Sequence, residues 1–270
     1  TYGASGETQS AALNATTQTP APAAPTNLTV ASTTISSVNL NWTDNATNEI
    51  GTHVYRSTDG TSFTLVANLS ADASSWTDTT VSASATYWYR LGEYNAGGET
   101  SSAAVTVTTQ TPAPAVATSL AATTTTSSVA LTWTDNATNE QGVKVYRSTN
   151  GTNFTVVATL GANSTSWTDS SVASSTTYYY KLGDYNAGGE TDTAAITATT
   201  KTPAPVAATS LAATTTASSV ALTWTDNATN EQGVKVYRST DGATFTVVAT
   251  LGANSTSWTD GSVASSTTYY

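Results

Sequence analysis

The sequence predicts an all-β chain of tandem two-sheet sandwiches, about seven strands to a unit, strung like beads. Three observations predict it. Trp42, Trp133 and Trp224 recur at a spacing of 91 residues, inside the phrase NWTDNATNE at 41–49 and TWTDNATNE at 132–140 and 223–231. Apolar and polar residues alternate with period two through segments rich in Thr, Ser, Val and Tyr, which favour pleated backbone. Asn-Gly and Gly-Gly turns separate those segments. A 91-residue unit is large enough for its own core and too long for a solenoid repeat.

The second unit shows the elements in order. A first strand is expected around Ser119-Leu120-Ala121. Val129, Leu131 and Trp133 alternate with Ala130 and Thr132, giving one buried face. Val143 and Val145 alternate with Lys144 and Tyr146. The turn Thr149-Asn150-Gly151-Thr152 joins that strand to Phe154-Thr155-Val156-Val157 as a hairpin. Ser166-Trp167-Thr168 is a short strand. Tyr178, Tyr180 and Leu182 alternate again, Ala187-Gly188-Gly189 turns the chain, and Ala194, Ile196 and Ala198 close the unit.

Boundaries follow the punctuation. TPAPAAP at 19–25, TPAPAVA at 111–117 and TPAPVAA at 202–208 divide the chain into 1–19, 20–111, 112–202 and 203–270. Alternating Pro and Ala favours polyproline II backbone, so each boundary reads as a short, semi-rigid spacer. Residues 112–179 and 203–270 agree at all but seven of 68 positions, the mark of recent duplication.

These residues carry a family resemblance. The Trp in Leu40-Asn41-Trp42, the strand and turn Val54-Tyr55-Arg56-Ser57-Thr58-Asp59-Gly60, and Ser75-Trp76-Thr77-Asp78 all contribute. So does Thr86-Tyr87-Trp88-Tyr89-Arg90-Leu91 followed by Tyr94-Asn95-Ala96-Gly97-Gly98-Glu99. Together they resemble tandem fibronectin type III repeats, in the form common in secreted prokaryotic proteins, across the whole chain. The resemblance implies seven-stranded immunoglobulin-like sandwiches. It also implies a tyrosine corner at Tyr87 and Tyr178, where a buried phenol bonds nearby backbone. Glu93, repeated as Asp184, departs from the family, which keeps a small apolar residue there. An acid at that inward position needs a partner or a solvated sheet end.

Thr1-Tyr2-Gly3-Ala4-Ser5-Gly6-Glu7 aligns with Glu93 to Glu99, and Tyr270 aligns with Tyr179. The chain therefore reads as opening and closing inside sixth strands, with partial sandwiches at 1–19 and 203–270. Two readings stay open: a window on a continuous array, or donation of a strand from one subunit to the next. Both imply self-association or head-to-tail continuation.

Composition excludes several functions. With no cysteine and one histidine, His53, the chain offers no thiolate nucleophile, no recurring His-based triad and no zinc site. His53 is expected on an outward strand face, where the other units carry Lys144 and Lys235. A net charge of −10 with only 10% charged residues argues against nucleic acid, and no apolar run is long enough to insert in a membrane. Ser and Thr make up 94 of the 270 residues, but seven Trp and thirteen Tyr speak against a disordered stalk.

Asp44, Asn45, Asn48 and Glu49 recur as Asp135, Asn136, Asn139 and Glu140, and as Asp226, Asn227, Asn230 and Glu231. Such oxygens could hold calcium, but the spacing is not an EF-hand. A loop ordered by Asx-type hydrogen bonds is the stronger reading, and no metal or cofactor is expected. Eleven Asn-x-Ser/Thr sequons occur. Asn45, Asn68, Asn136, Asn150, Asn153, Asn163, Asn227 and Asn254 are the candidates for glycans, which fit surface turns, while Asn14, Asn27 and Asn41 are set aside. Tyr55, Trp88, Tyr146 and Tyr179 point outward, where cross-strand packing is the plainer role than stacking on sugars. No Arg-Gly-Asp occurs.

The expectation is a non-enzymatic, extracellular or cell-surface repeat segment of a filament, stalk or appendage. The alternatives are adhesin or carbohydrate-binding modules, or spacers within a large secreted enzyme.

Overall fold

The computed structural model describes residues 2–270, and the only regular elements among them are strands. β1 (Tyr2–Gly3) and β2 (Gly6–Glu7) form a hairpin with Tyr2 opposite Glu7. The first full sandwich comprises β3 (Thr26–Thr33), β4 (Val38–Thr43), β5 (Gly51–Ser57), β6 (Thr64–Ser70), β7 (Ser75–Asp78), β8 (Thr86–Asn95), β9 (Gly98–Ser101) and β10 (Val105–Thr108). The second comprises β11 (Thr118–Thr124), β12 (Val129–Thr134), β13 (Gly142–Ser148), β14 (Thr155–Gly161), β15 (Ser166–Asp169), β16 (Thr177–Asn186), β17 (Gly189–Asp192) and β18 (Ile196–Thr199). The last unit has β19 (Thr209–Thr215), β20 (Val220–Thr225), β21 (Gly233–Arg238), β22 (Thr246–Gly252) and β23 (Ser257–Asp260).

In the first sandwich β3-β4-β7 face β6-β5-β8-β10, and in the second β11-β12-β15 face β14-β13-β16-β18; all pairings are antiparallel. The chain changes sheet between β4 and β5 and again between β6 and β7, so the units are Greek-key sandwiches rather than meanders. This is the all-β, immunoglobulin-like two-sheet sandwich that the sequence predicts.

Period-two patterning fills the core. Val38, Leu40 and Trp42 of β4 and Val54 of β5 meet Tyr87, Tyr89 and Leu91 of β8, all at most 6% exposed. Val129, Leu131, Trp133, Val143, Val145, Tyr178, Tyr180 and Leu182 repeat the cluster. Each buried Val or Leu contributes about 1.5–3 kcal/mol. The tyrosine corner is present in the three units from residue 20 onward: Ser82, Ala173 and Ala264 donate backbone N–H to the hydroxyls of Tyr87, Tyr178 and Tyr269 at 2.9, 2.9 and 3.0 Å.

Three local features differ from the sequence reading. The last strand is broken in two, and Ala194 sits exposed in the gap. There Thr193 replaces the ladder, its N–H donating to the Leu182 carbonyl and its Oγ1 accepting the Leu182 N–H. The second hairpin strand starts at Thr155, because Asn150 Oδ1 takes the N–H groups of Thr152 and Asn153 and holds them in the turn. Repeat 1 is one residue longer than repeat 2. A register shift between Val30 and Ser32, without counterpart in β11, absorbs the extra residue as a bulge.

A buried ion pair was not foreseen. Asp78, at 1% exposure, accepts from Arg56 Nη1 at 2.7 Å and from the Tyr89 hydroxyl at 2.8 Å. Arg147, Asp169 and Tyr180 repeat it, and Arg238 pairs with Asp260. In the last unit Val220 and Leu222 are half-buried where Val129 and Leu131 are at most 1% exposed. A groove of about 520 Å³ lies along them, lined also by Val236, Val248, Trp258 and Tyr270.

Candidate functional site

The NATNE phrase sits where the Pro-Ala segment enters each sandwich. Pro has no N–H, so TPAPA offers carbonyls but few donors and cannot join a ladder on both edges. The sandwich supplies the donors from side chains. Asn48 and Asn95 give Nδ2–H to the Pro20 carbonyl at 3.1 and 2.9 Å, Thr100 Oγ1 donates to Pro22 at 2.6 Å, and Asn45 donates to Ala24 at 3.0 Å. Repeat 2 has the same clamp: Asn139 and Asn186 on Pro112, Thr191 on Pro114, Asn136 on Val116. Asn230 and Asn227 hold Pro203 and Ala207 in the last unit. The Pro-Ala segment, expected as a short, semi-rigid spacer, is thus a strap bound to the sandwich that follows it.

Little chain is left between units. Gln110 donates its N–H to Thr34 and accepts the Ser84 N–H, so repeat 1 still holds it. Thr111 Oγ1 takes the Ser84 hydroxyl at 3.2 Å, while the Thr111 carbonyl packs on Gly188 so closely that a Cβ there would lie 2.0 Å away. Repeat 2 holds the chain from Pro112 onward. Lys201 and Thr202 repeat the arrangement with Thr125, Ser175 and Asn230 holding the residues around them.

An acidic cluster lies beside the strap. Asp44 Oδ1 accepts the Ala46 N–H at 2.9 Å, the Asx turn expected from the sequence, and Asp135 and Asp226 do the same for Ala137 and Ala228 at 3.0 Å. Glu49 Oε1 accepts the N–H of Asp72, and Glu140 and Glu231 accept those of Asn163 and Asn254. Asp44, Glu49 and Asp72 each place a carboxylate oxygen within 4.8 Å of the others. Nothing in the residue pattern singles out Asp72, which lies in a turn 23 residues beyond Glu49.

Behind them sits the unusual inward acid. Glu93 is wholly buried and accepts from Thr52 Oγ1 through both oxygens at 3.1 Å. Burial, added to by the charges of Asp44 and Glu49, pushes its carboxyl up to about 7. Asp184 is 1% exposed and accepts the Ala117 N–H at 2.7 Å. Burial raises it too, and Asp135 and Glu140 add to the effect. The inward acid therefore has a partner in each repeat.

The outward face of the larger sheet is a closed network. His53 stacks on Tyr94 with ring centroids 3.9 Å apart and places Nδ1 2.7 Å from Glu99. Lys144 takes the same place, over Tyr185 at 5.0 Å and 2.6 Å from Glu190. Tyr55 lies under the Arg90 guanidinium and Tyr146 under the Lys181 ammonium, and both donate to the same glutamates. Burial and Glu190 push the Tyr146 phenol up to about 12. Trp88 covers Gly60 and Tyr179 covers Gly151, both glycines in the left-handed region. The outward rings are thus used in packing.

The sequons divide. Asn45, Asn136 and Asn227 each donate amide N–H to a strap carbonyl and to the hydroxyl of Thr26, Thr118 or Thr209, and a glycan on that nitrogen would displace at least one such bond. Asn68, Asn150, Asn153, Asn163 and Asn254 are exposed, and none donates an amide bond of this kind.

No family model matches the chain, and no curated protein matches it. Among solved structures, one similar in arrangement is that of the chicken CNTN1 FN1–FN3 domains, 16% identical, with 93% of this chain and 92% of that one covered and a TM-score of 0.34.

Proposed function

We propose that this chain is a structural segment of an extracellular filament, stalk or surface appendage, whose repeats hold length and spacing and perform no catalysis. The carrying observation is the clamp. Asn48, Asn95 and Thr100, with Asn139, Asn186 and Thr191, bind each strap to its sandwich and leave a single residue between one fold and the next. A joint that short restricts the angles between units, which suits a stiff, length-setting array. A Thr- and Ser-rich surface with exposed sequons at Asn68, Asn150, Asn153, Asn163 and Asn254 fits a glycosylated surface location.

The adhesive or carbohydrate-binding reading is the weaker one. Flat, bare aromatic platforms suit sugars, whereas Tyr55 and Tyr146 are covered by Arg90 and Lys181. Small-angle scattering on the purified chain separates the readings. An elongated particle whose maximum dimension does not shrink as salt is raised supports the structural role. A compact or widely distributed shape, or saturable binding to a glycan array, overturns it.

A further inference from the structure

Among the described residues, the carboxylates beside the strap have no counter-charge. Asp44, Glu49, Asp72 and Glu93 converge in repeat 1, yet among the described residues none of them forms an ion pair with Lys, Arg or His. Like charges held this close destabilise a fold unless something neutralises them. One oxygen of the cluster is also orphaned. Glu49 Oε1 accepts the Asp72 N–H, but Oε2 is shut off from solvent with no hydrogen-bond partner. The same is true in repeat 2, where Glu140 is only 9% exposed and its Oε2 is again buried without a partner. Its charge and that of Asp135 raise the Asp184 carboxyl, as the charges of Asp44 and Glu49 raise that of Glu93. A buried carboxylate oxygen left unpaired at equivalent places in two separate sandwiches points to an occupant that supplies positive charge.

We propose that this cradle binds a divalent, oxygen-seeking cation of the calcium class, in repeat 1 through Asp44, Glu49 and Asp72, and more weakly in repeat 2 through Asp135 and Glu140. Hard cations take carboxylate and carbonyl oxygens at flexible angles, and affinity rises with the number of charged ligands. Repeat 2 has Asn163 where repeat 1 has Asp72, one charge fewer at the same left-handed turn position, with φ of 59° in both. The two sites therefore form an internal comparison. The cation would tie the loop after β4 to the turn after β6, next to the strap held by Asn45 and Asn48. It does not depend on whether the repeats build a filament.

The test is calorimetric. The whole chain, stripped with a chelator, is titrated with calcium and with magnesium and scanned for thermal unfolding. Calcium is expected to raise the unfolding midpoint and to bind with a dissociation constant in the range of about 10⁻⁵–10⁻³ M, with magnesium weaker. Asp72→Asn recreates the residue that repeats 2 and 3 already carry, so its fold is safe, and it should weaken the tighter site at least about tenfold. Asn163→Asp should strengthen the second site by a similar factor. Absence of any calcium-dependent shift at millimolar concentration overturns the proposal. So does a shift that Asp72→Asn leaves unchanged, because the cation then sits elsewhere.

Discussion

Asp184 accepts the backbone N–H of Ala117 at 2.7 Å, and in the preceding repeat the place of Ala117 belongs to Pro25, which has no N–H to give. The acid adapts. It becomes Glu93, one methylene longer, and takes the hydroxyl of Thr52, where repeat 2 has the buried Val143. Ala117-Val143-Asp184 and Pro25-Thr52-Glu93 are alternative solutions for satisfying one buried carboxyl.

Ala117→Pro should therefore orphan Asp184 and destabilise repeat 2 by about 1–3 kcal/mol, the cost of an unsatisfied buried acceptor. Adding Val143→Thr and Asp184→Glu should recover most of that loss. Urea unfolding followed by tryptophan fluorescence reads both, and a triple variant no better than the single one would refute the coupling.

Glu93 sets a pH dependence of defined sign. Its folded carboxyl is pushed up to about 7 by burial, above its unfolded range near 4.5, so the folded state holds the proton more tightly. That contribution is full below about 4.5 and is lost as pH rises toward 7. In chelator, the thermal midpoint should fall across this window, and Glu93→Gln should flatten the fall. An unchanged pH profile in Glu93→Gln would show that the carboxyl ionises freely.

Asp169 works in the opposite direction at lower pH. Burial raises its carboxyl, but bonds from Ser171, Arg147 and Tyr180 outweigh burial and hold it below the usual range. Its stabilisation is present above the unfolded value near 4 and disappears as pH falls through the folded one. Arg147→Met leaves Asp169 buried without its counter-charge, held only by Ser171 and Tyr180, and should cost about 3–5 kcal/mol near neutral pH. The loss should shrink on acidification; denaturant titrations at pH 7 and pH 3 make the comparison.

Gly188→Ala would place a Cβ 2.0 Å from the Thr111 carbonyl oxygen. The strap must move, and the Asn186 bond to Pro112 should break with it. Limited proteolysis should then cut within 110–117 at least about tenfold faster, following the population of the open strap, while repeat 2 stays folded. Equal cleavage rates would show that the strap is not held there.

Much of this was legible in the residues. Val129, Leu131 and Trp133, and Tyr178, Tyr180 and Leu182, declare their burial through strict alternation, and Tyr87 and Tyr178 keep their corner bonds. Asp44 forms the Asx turn that its type and place suggest. What sequence could not show were pairings across strands. Asp78 lies 22 residues from Arg56, and Asp72 lies 23 from Glu49. The role of Asn48 and Asn95 was hidden for the same reason, since both reach the Pro20 carbonyl, and the strap looked like a linker because its composition does not reveal who supplies its donors. Ala194 misled because its neighbour Thr193 substitutes side chain for ladder, a switch that patterning cannot register.

Thr111 and Thr202 each precede a proline, which confines their own backbone to extended conformations. The residue that joins two repeats is thus among the least free in its neighbourhood. Pulling across the joints at Thr111 and Thr202 meets almost no slack: neither holds coil to straighten, so each has little entropic elasticity. Extension must come from peeling a strap off Asn95 and Thr100 or from opening a sandwich, so the array should resist stretch up to a yield force and then lengthen in steps.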